Sequence, residues 1–333
     1  MKSCAIYYPF IEVPQSPWFT RVLLYWDEVG AIVPYEYLDD PDRLGKHMVG
    51  LVREGLVRQV IPGMHLWKVA NFSDAFIDYV DEKNRPQKPY NWAKIHMEKL
   101  QGIAEKLCER GLAQRDRKNR YSPWYRVESR TANKFMAYLA AVLGQLADDD
   151  KFYPITDQEN RLDPFISESP EYLRRLPLRK LTLERILPAP SRAIEPAQLA
   201  DFKEYYKPEL QRFRREIEDK ISELSVIEDD DSRDIRLNDI VKNMQETLRE
   251  ITKRMEEQRN WPRLNFGTLC TIVGSGISAW KAIINQDWKF GLVGAALSLA
   301  PAVYNAFRGS NVNFEDKPLA YAALAGRELG KSG

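Results

Sequence analysis

The first third of the chain alternates between two hydrophobic periods. Residues 4–13 are rich in aromatic and β-branched side chains and end before a proline, which predicts a strand. Apolar residues then recur at helical spacing, which predicts a helix capped by Ser16 and ended by Gly30. The short apolar run 31–34 predicts a second strand. Strand, helix and strand in close succession indicate a βαβ-like unit with a parallel sheet.

Two amphipathic segments end in the same way. Gly55-Leu56 and Gly111-Leu112 each follow a helical pattern and precede an extended run. A glycine in the left-handed conformation ends a helix, and the next apolar residue then packs back on the helix end. The repeated Gly-Leu pair therefore predicts the same capping motif at both places.

The second of these segments belongs to a longer pattern. Residues 92–111 show helical spacing, residues 112–127 form two extended runs about a polar turn, and residues 128–146 predict another helix. Helix, basic hairpin and helix in this order are typical of a winged helix. The predicted fold class is therefore α+β, with a mixed α/β N-terminal domain that has a βαβ-like start and a winged-helix-like hairpin.

The hairpin is locally basic. Between residues 109 and 130, seven Arg or Lys stand against three acidic residues, and aromatic residues lie among them. Nucleic-acid binding needs cations for phosphates and aromatic rings for stacking, so this segment is a candidate contact surface. The alternative is a solvated turn whose aromatic side chains pack beneath it. The candidate contacts are Arg115, Arg117, Lys118, Arg120 and Arg126.

The pattern divides the chain into four parts. Residues 1–150 form the mixed α/β domain, and residues 151–195 are a Pro-rich connector whose prolines predict no long helix. Residues 196–260 predict a long antiparallel helical hairpin, and residues 261–333 an apolar helix pair rich in Gly, Ala and Ser, followed by a C-terminal helix. In the second helix of this hairpin, apolar residues recur at alternating spacings of four and three, as at the helix–helix contact (the seam) of a coiled coil. Its members are Leu237, Val241, Met244, Leu248, Ile251 and Met255.

Two uncharged runs, 264–280 and 290–307, distinguish the C-terminal part. Small residues recur at every fourth position of each run, which lets two helices approach closely. Two interpretations stay open, a membrane hairpin and a tightly packed pair of helices in water, because each run falls a little short of a full span. The candidate contacts of this pair are Gly274, Ser278, Gly294, Ser298 and Ala302.

Composition narrows the function classes. With 49 basic and 48 acidic residues the net charge is +1, which excludes a generally basic surface for nucleic acid. Three widely spaced cysteines form no CxxC pair, so neither a disulfide framework nor a zinc site is expected. No apolar leader is recognisable, and the expected location is the cytoplasm, with peripheral or inserted membrane contact through 264–308 as the alternative.

Motifs of catalysis are missing from the sequence. It contains no phosphate-binding GxxxxGK[ST], no GxGxxG after a strand, and no HExxH. The three histidines share no metal-ligand spacing. We therefore predict no cofactor and no metal, and the catalytic residues, if the chain has any, are unknown.

Three segments together carry a resemblance. The opening "AIYYPFIEV…PWFTRVLLYWDEVGAIVP", the stretch "LPAPSRAIEPAQLADFKEYYKPELQRFRREIED" and the terminal "KPLAYAALAGREL" resemble a bacterial family of unknown function. Its members have a YYPF strand, an LYWD helix and a C-terminal helical arm. The resemblance implies a bacterial α+β protein with a helical C-terminal part, and it implies no activity for any residue.

These observations favour a non-enzymatic bacterial interaction protein. A role in defence or stress is a further hypothesis that goes beyond them. Its N-terminal domain would bind a partner protein or a second copy, and its helical arm and apolar pair would mediate assembly or membrane contact. The first alternative is a nucleic-acid-binding regulator that uses residues 109–130. The second is an enzyme whose site lies in the N-terminal α/β domain.

Overall fold

The computed structural model describes residues 2–40, 43–83, 91–116, 122–146, 152–158, 170–188, 194–257 and 317–329. Helices occur together with a parallel sheet of four strands and an antiparallel sheet of three, which confirms the predicted α+β class. Residue contacts divide the chain into two compact units, Met1–Pro177 (unit 1) and Leu178–Gly333 (unit 2).

The elements of unit 1 follow one another along the chain as strands with short helices between them. They are β1 (Cys4–Tyr7), α1 (Pro17–Tyr25), β2 (Glu28–Ile32), α2 (Glu36–Asp39), α3 (Lys46–Arg53), β3 (Val57–Val60), α4 (Pro62–His65), a 3-10 turn (Leu66–Lys68), α5 (Phe72–Lys83), β4 (Trp92–His96), α6 (Met97–Leu100), α7 (Ile103–Glu109), β5 (Ala113–Arg115), β6 (Trp124–Glu128), α8 (Ser129–Leu146) and β7 (Phe152–Ile155).

The parallel sheet has the strand order β3-β2-β1-β7. The connections β1–α1–β2 and β2–α3–β3 each add the next strand on the same side of the sheet. Strand β7 then pairs with the other side of β1. The predicted βαβ unit is therefore confirmed. All four residues of β1 are buried, because helices and neighbouring strands cover this central strand.

Helix α1 is shorter than its hydrophobic pattern predicts. Its N-cap is Ser16, as expected, since the Ser16 hydroxyl accepts a hydrogen bond from the Phe19 amide at 3.2 Å. The helix ends at Tyr25, and Gly30 lies inside β2, so the prediction that Gly30 ends the helix is wrong. A Cβ at Gly30 would lie 3.0 Å from Val60 Cγ2 and 3.2 Å from the Phe152 ring, so close packing in the sheet explains this glycine.

Both Gly-Leu caps form as predicted. Gly55 and Gly111 each have φ of +69°. The amide of Leu56 donates to the carbonyl of Leu51 at 3.0 Å, and the amide of Leu112 donates to Leu107 at 2.8 Å. These bonds satisfy carbonyl groups at the helix ends, and the chain leaves each cap directly into a strand.

The antiparallel sheet has the order β4-β6-β5. With α5, α6 and α7 it gives the sequence helix, strand, helix, helix, strand, strand, which is the arrangement of a winged helix. One prediction here is wrong: residues 92–111 are not a single helix, because 92–96 pair with β6 as strand β4. Gln101 and Gly102, with φ of 39° and 80°, then separate α6 from α7.

Residues 151–195 contain more regular structure than their prolines predict. Strand β7 lies here, and helix α9 (Pro170–Ile186) begins in unit 1 and continues into unit 2. The expectation of no long helix is wrong, since Pro170 occupies the first helical position, where no amide hydrogen bond is lost. Pro177 inside α9 removes only one helical hydrogen bond.

Unit 2 is helical in its described residues. Helices α10 (Pro196–Tyr205), α11 (Lys207–Ser225), α12 (Asp230–Glu257) and α13 (Ala320–Glu328) follow α9. Helices α11 and α12 form the predicted hairpin, and α13 packs against both of them. The side chain of Asp229 caps α12 by accepting from the Ser232 amide at 2.8 Å.

The apolar core of unit 2 confirms most of the predicted seam. Five seam residues of α12 are buried and Leu248 is half-buried, and Ile240, which is not a seam residue, is buried as well. The rings of Phe202 and Phe213 lie 5.4 Å and 5.8 Å from the ring of Tyr321. The C-terminal helix thus closes the open side of the hairpin.

In the described ranges, no helix combines the length and the hydropathy needed to cross a bilayer. The runs 264–280 and 290–307 lie outside these ranges, so neither interpretation of the apolar pair is decided. The candidate contacts Gly274, Ser278, Gly294, Ser298 and Ala302 lie outside them as well.

Candidate functional site

The carboxyl ends of β1 and β2 carry a group of ionisable side chains. In open α/β sheets, ligand-binding groups gather at this edge, where the direction of strand addition changes. Here that change occurs at β1, because β2 and β7 lie on its two sides. Glu12 and Glu36 follow β1 and β2, and the Tyr7 hydroxyl donates to Asp157 at 3.2 Å beyond the end of β7.

Glu36 is the centre of this group. Its Oε2 lies 3.0 Å from Nη1 of Arg43, and its Oε1 lies 3.4 Å from Nε2 of His96. Burial, and next the charge of Glu36, raise the pKa of the neighbouring Tyr37 hydroxyl. The backbone amide of Gly45 donates to Oε1 of Glu12 at 3.1 Å, which holds the loop after β2 against the loop after β1.

His96 connects the antiparallel sheet to Glu36. It is the last residue of β4 and the N-cap of α6, where its Nδ1 accepts from the Glu98 amide at 3.3 Å. The accepting Nδ1 places the proton of the neutral ring on Nε2. His96 is only 2% exposed, and burial lowers its pKa against the opposing charges of Glu36 and Glu98.

The Nε2 atom of His96 remains without a hydrogen-bond partner among the described residues. The 3.4 Å separation from Glu36 places the two groups side by side but lacks hydrogen-bond geometry. The ring is held in place by Trp124, whose ring meets it edge-on at 5.2 Å. This buried N–H group can therefore still donate one hydrogen bond to a further acceptor.

Lys99 lies in α6, three residues after His96. It is 3% exposed, and burial lowers the pKa of its amine to about 7. In the part of the chain that the structure describes, its amine forms neither a hydrogen bond nor an ion pair. Lysine is almost never fully buried without such a partner.

Large apolar side chains are exposed around the same short helix. Trp67, Met64 and Met97 are 76%, 55% and 51% exposed, and Tyr35 is exposed beside them. The Trp67 indole donates to the Met64 carbonyl at 3.0 Å, and α4 packs against α6. The Tyr35 amide donates to Oε2 of Glu98 at 2.5 Å. We name Tyr35, Met64, Trp67 and Met97 the apolar face.

The predicted nucleic-acid contacts are only partly described. Arg115 donates from Nε to the Tyr125 hydroxyl at 3.0 Å, and Arg126 lies over the Trp92 ring at 5.7 Å. Nearby, Lys94 pairs with Asp116 at 2.8 Å. Arg117, Lys118 and Arg120 lie outside the described residues.

Helix α7 stands where a winged helix has its recognition helix. It exposes Glu105 and Glu109, while Lys106 pairs with Asp74 and Arg110 binds Asp81 through two nitrogens. Acidic residues on this helix would repel phosphates, and its cations are already neutralised. The geometry gives nucleic-acid binding less support than the apolar face gives protein binding.

Searches of protein families, curated proteins and solved structures find no match to this chain. The resemblance to a bacterial family therefore stays a prediction. Function has to be inferred from the geometry of the described residues.

Sequence reasoning missed the centre of this site. Glu36 has no motif around it, and His96 shares no metal-ligand spacing with the other two histidines. Lys99 carried a usable signal, since it stands four residues before Ile103 and eight before Leu107, on a stripe that is otherwise apolar. A charged residue at such a position marks a buried polar group.

Proposed function

We propose that this protein is a non-enzymatic bacterial interaction protein that self-associates through the apolar face of unit 1. The observation that carries the proposal is the exposure of Trp67, the most exposed large apolar side chain in the described part of the chain. Tryptophan, tyrosine and methionine are enriched in protein interfaces, and Trp and Tyr supply most binding hot spots. Four such side chains on contacting elements form a surface of this kind.

The charges beside the face favour a second copy as the partner. Glu36 and Glu98 belong to α2 and α6, and Lys68 belongs to the 3-10 turn, where it lies over the Trp67 ring at 5.9 Å. In a two-fold interface each patch meets its own copy in reverse orientation. A two-fold pairing that sets the 3-10 turn of one copy against α6 of the other would bring Lys68 towards Glu98.

The location and the C-terminal part of the proposal have separate support. Three cysteines without a CxxC pair suit a reducing compartment, so we place the protein in the cytoplasm. The helical arm of unit 2 would add assembly contacts, and the runs 264–280 and 290–307 would add contact with a membrane or with each other.

Sedimentation velocity of the full chain over a range of concentrations tests the interface. The wild type should form a dimer, and Trp67→Glu should form a monomer, because it places a charge in the centre of an apolar interface. Val226→Glu is the matched control, since Val226 is also well exposed but lies in unit 2. It should leave the dimer intact.

Two results would contradict the proposal. If the wild-type chain stays monomeric at every concentration, self-association is ruled out. A dimer that survives Trp67→Glu shows that the copies meet at another surface.

A further inference from the structure

Unit 1 holds two buried nitrogen groups whose bonding capacity is unused. Among the described residues, the Lys99 amine has no partner, and Nε2 of His96 has no hydrogen bond. Leaving a buried polar group unsatisfied costs about 1–3 kcal/mol, so each instance calls for an explanation. Two of them, three residues apart at the start of the same short helix, indicate a site.

The two groups act on each other. Burial is the main cause of the lowered pKa of His96, the carboxylates of Glu36 and Glu98 oppose it, and the charge on Lys99 adds a smaller lowering. Arg43 also lowers the pKa of His96 and is ion-paired with Glu36. The amine and the imidazole therefore lie within electrostatic range of each other, next to a carboxylate that is partly open to solvent.

The position of the pair is that of a ligand site. Glu36 stands directly beyond the carboxyl end of β2, and His96 reaches it from the end of β4. Ligands of open α/β sheets bind at this edge. Lys99 is thus a buried amine three residues after His96, which lies against Glu36, at the place where such folds bind small molecules.

We propose that Lys99 is a nucleophilic amine that binds a small aldehyde or ketone as an imine, with Nε2–H of His96 as the hydrogen-bond donor to the carbonyl oxygen. The Lys99 nitrogen attacks the carbonyl carbon, and a carbon–nitrogen bond forms. The amine protons and the carbonyl oxygen leave together as one water molecule, and a carbon–nitrogen double bond remains. Nε2–H of His96 donates a hydrogen bond to the carbonyl oxygen and keeps its proton, and the two amine protons reach the departing oxygen through solvent water.

The acid–base state of the amine suits this reaction. With a pKa of about 7, half of the Lys99 amine is neutral at neutral pH. An amine with the ordinary lysine pKa of about 10.4 is neutral in about one molecule of 2,500 at that pH. Desolvation of a lysine in an apolar site is one of the established ways in which proteins make this side chain nucleophilic.

Reductive trapping tests the proposal on the full chain. The protein is incubated with acetaldehyde and cyanoborohydride, and the initial rate of ethylation of each lysine is read from peptide mass spectra. At about pH 6.5, where ordinary amines are almost fully protonated, Lys99 should react at least ~10-fold faster than Lys94. Lys94 is the internal reference, because it is an exposed lysine in the adjacent strand β4.

The pH dependence sharpens the test. The advantage of Lys99 should shrink as pH rises to about 9, since ordinary amines then begin to lose their protons. If Lys94 is ethylated as fast as Lys99 at the lower pH, the proposal is overturned.

Two variants assign the roles. Lys99→Met should abolish labelling of this peptide only, and a chain of normal melting temperature confirms that no fold was lost. His96→Phe keeps a ring but removes the donor, so it should slow labelling of Lys99 by at least ~10-fold while leaving Lys94 unchanged, since loss of one donor to a developing oxyanion costs ~10²–10³-fold in enzymes. An unchanged Lys99 rate in His96→Phe overturns the role given to His96.

This inference and the proposed function fail separately. Trp67→Glu lies on the exposed face and should leave Lys99 labelling unaltered. Lys99→Met should leave the dimer intact.

Discussion

Replacing Gly144 by Ala tests how closely α8 packs on the parallel sheet. Gly144 is buried in the last turn of α8, against β7 and β1. A Cβ at this position would lie 2.3 Å from the Phe152 carbonyl oxygen and 3.7 Å from Cγ2 of Ile6. The nearest atom is backbone, so no side-chain rotation can relieve the contact.

The sign of the effect follows from two opposing contributions. Alanine improves the intrinsic stability of a helix by up to about 1 kcal/mol relative to glycine. The helix would have to move about 0.7 Å to bring the 2.3 Å contact to the 3.0 Å that real Cβ atoms reach. Forcing extra atoms into a packed core costs ~1–3 kcal/mol, and a clash with backbone lies at the upper end. We expect a net loss of about 1–2 kcal/mol of unfolding free energy.

Differential scanning calorimetry of the full chain measures this loss. For a unit of this size, each kcal/mol corresponds to roughly 2–4 °C, so the melting temperature of unit 1 should fall by several degrees. Gly326→Ala is the matched control, because Gly326 is also helical but its nearest neighbour would lie 3.9 Å away. That variant should gain stability in unit 2. A rise in the melting temperature of unit 1 with Gly144→Ala would refute the close packing of α8 on β7.

Two further predictions concern unit 2. Ile251→Asp should lower its unfolding free energy by more than about 4 kcal/mol, whereas Leu248→Asp should cost much less, because Ile251 is fully buried and Leu248 is half-buried. Equal urea midpoints for the two variants would contradict the observed seam. Burial raises the pKa of Glu328 from 4.5 to about 7, so the folded state favours its protonated form. Its contribution to stability is therefore fully present below pH 4.5 and is lost as pH rises through about 7. Glu328→Gln should stabilise the protein above pH 7 relative to the wild type, and denaturation curves at both pH extremes would show whether it does.

Local periodicity was enough to predict much of the fold. The start of unit 1, the Gly55 and Gly111 caps and the hairpin of α11 and α12 all rest on patterns that span one or two elements. A glycine followed by leucine ends a helix through bonds within six residues, so distant parts of the chain do not affect it. Such features can be read from one sequence.

Features that depend on distant partners could not be predicted in this way. Residues 92–96 show helical spacing, but their pairing with 124–128 makes them a strand. The identity of that partner is not encoded locally, since tertiary pairing overrides propensity. Gly30 likewise has the appearance of a helix end, and only the approach of Val60 and Phe152 explains why the strand needs it.

The candidate site follows from one short helix that has two different sides. Helix α6 has only four residues, and Gln101 and Gly102 in left-handed conformations end it at once. Met97 at its start is exposed, and Lys99 two residues later is buried, so one turn presents an apolar side chain outward and an amine inward. The bond from the Tyr35 amide to Glu98 fixes this turn to the loop after β2. Because residues two apart on a helix face different directions, the outer surface and the inner amine can be altered independently. The dimer assay with Trp67→Glu and the labelling assay with Lys99→Met therefore examine two separate properties of the region around α6.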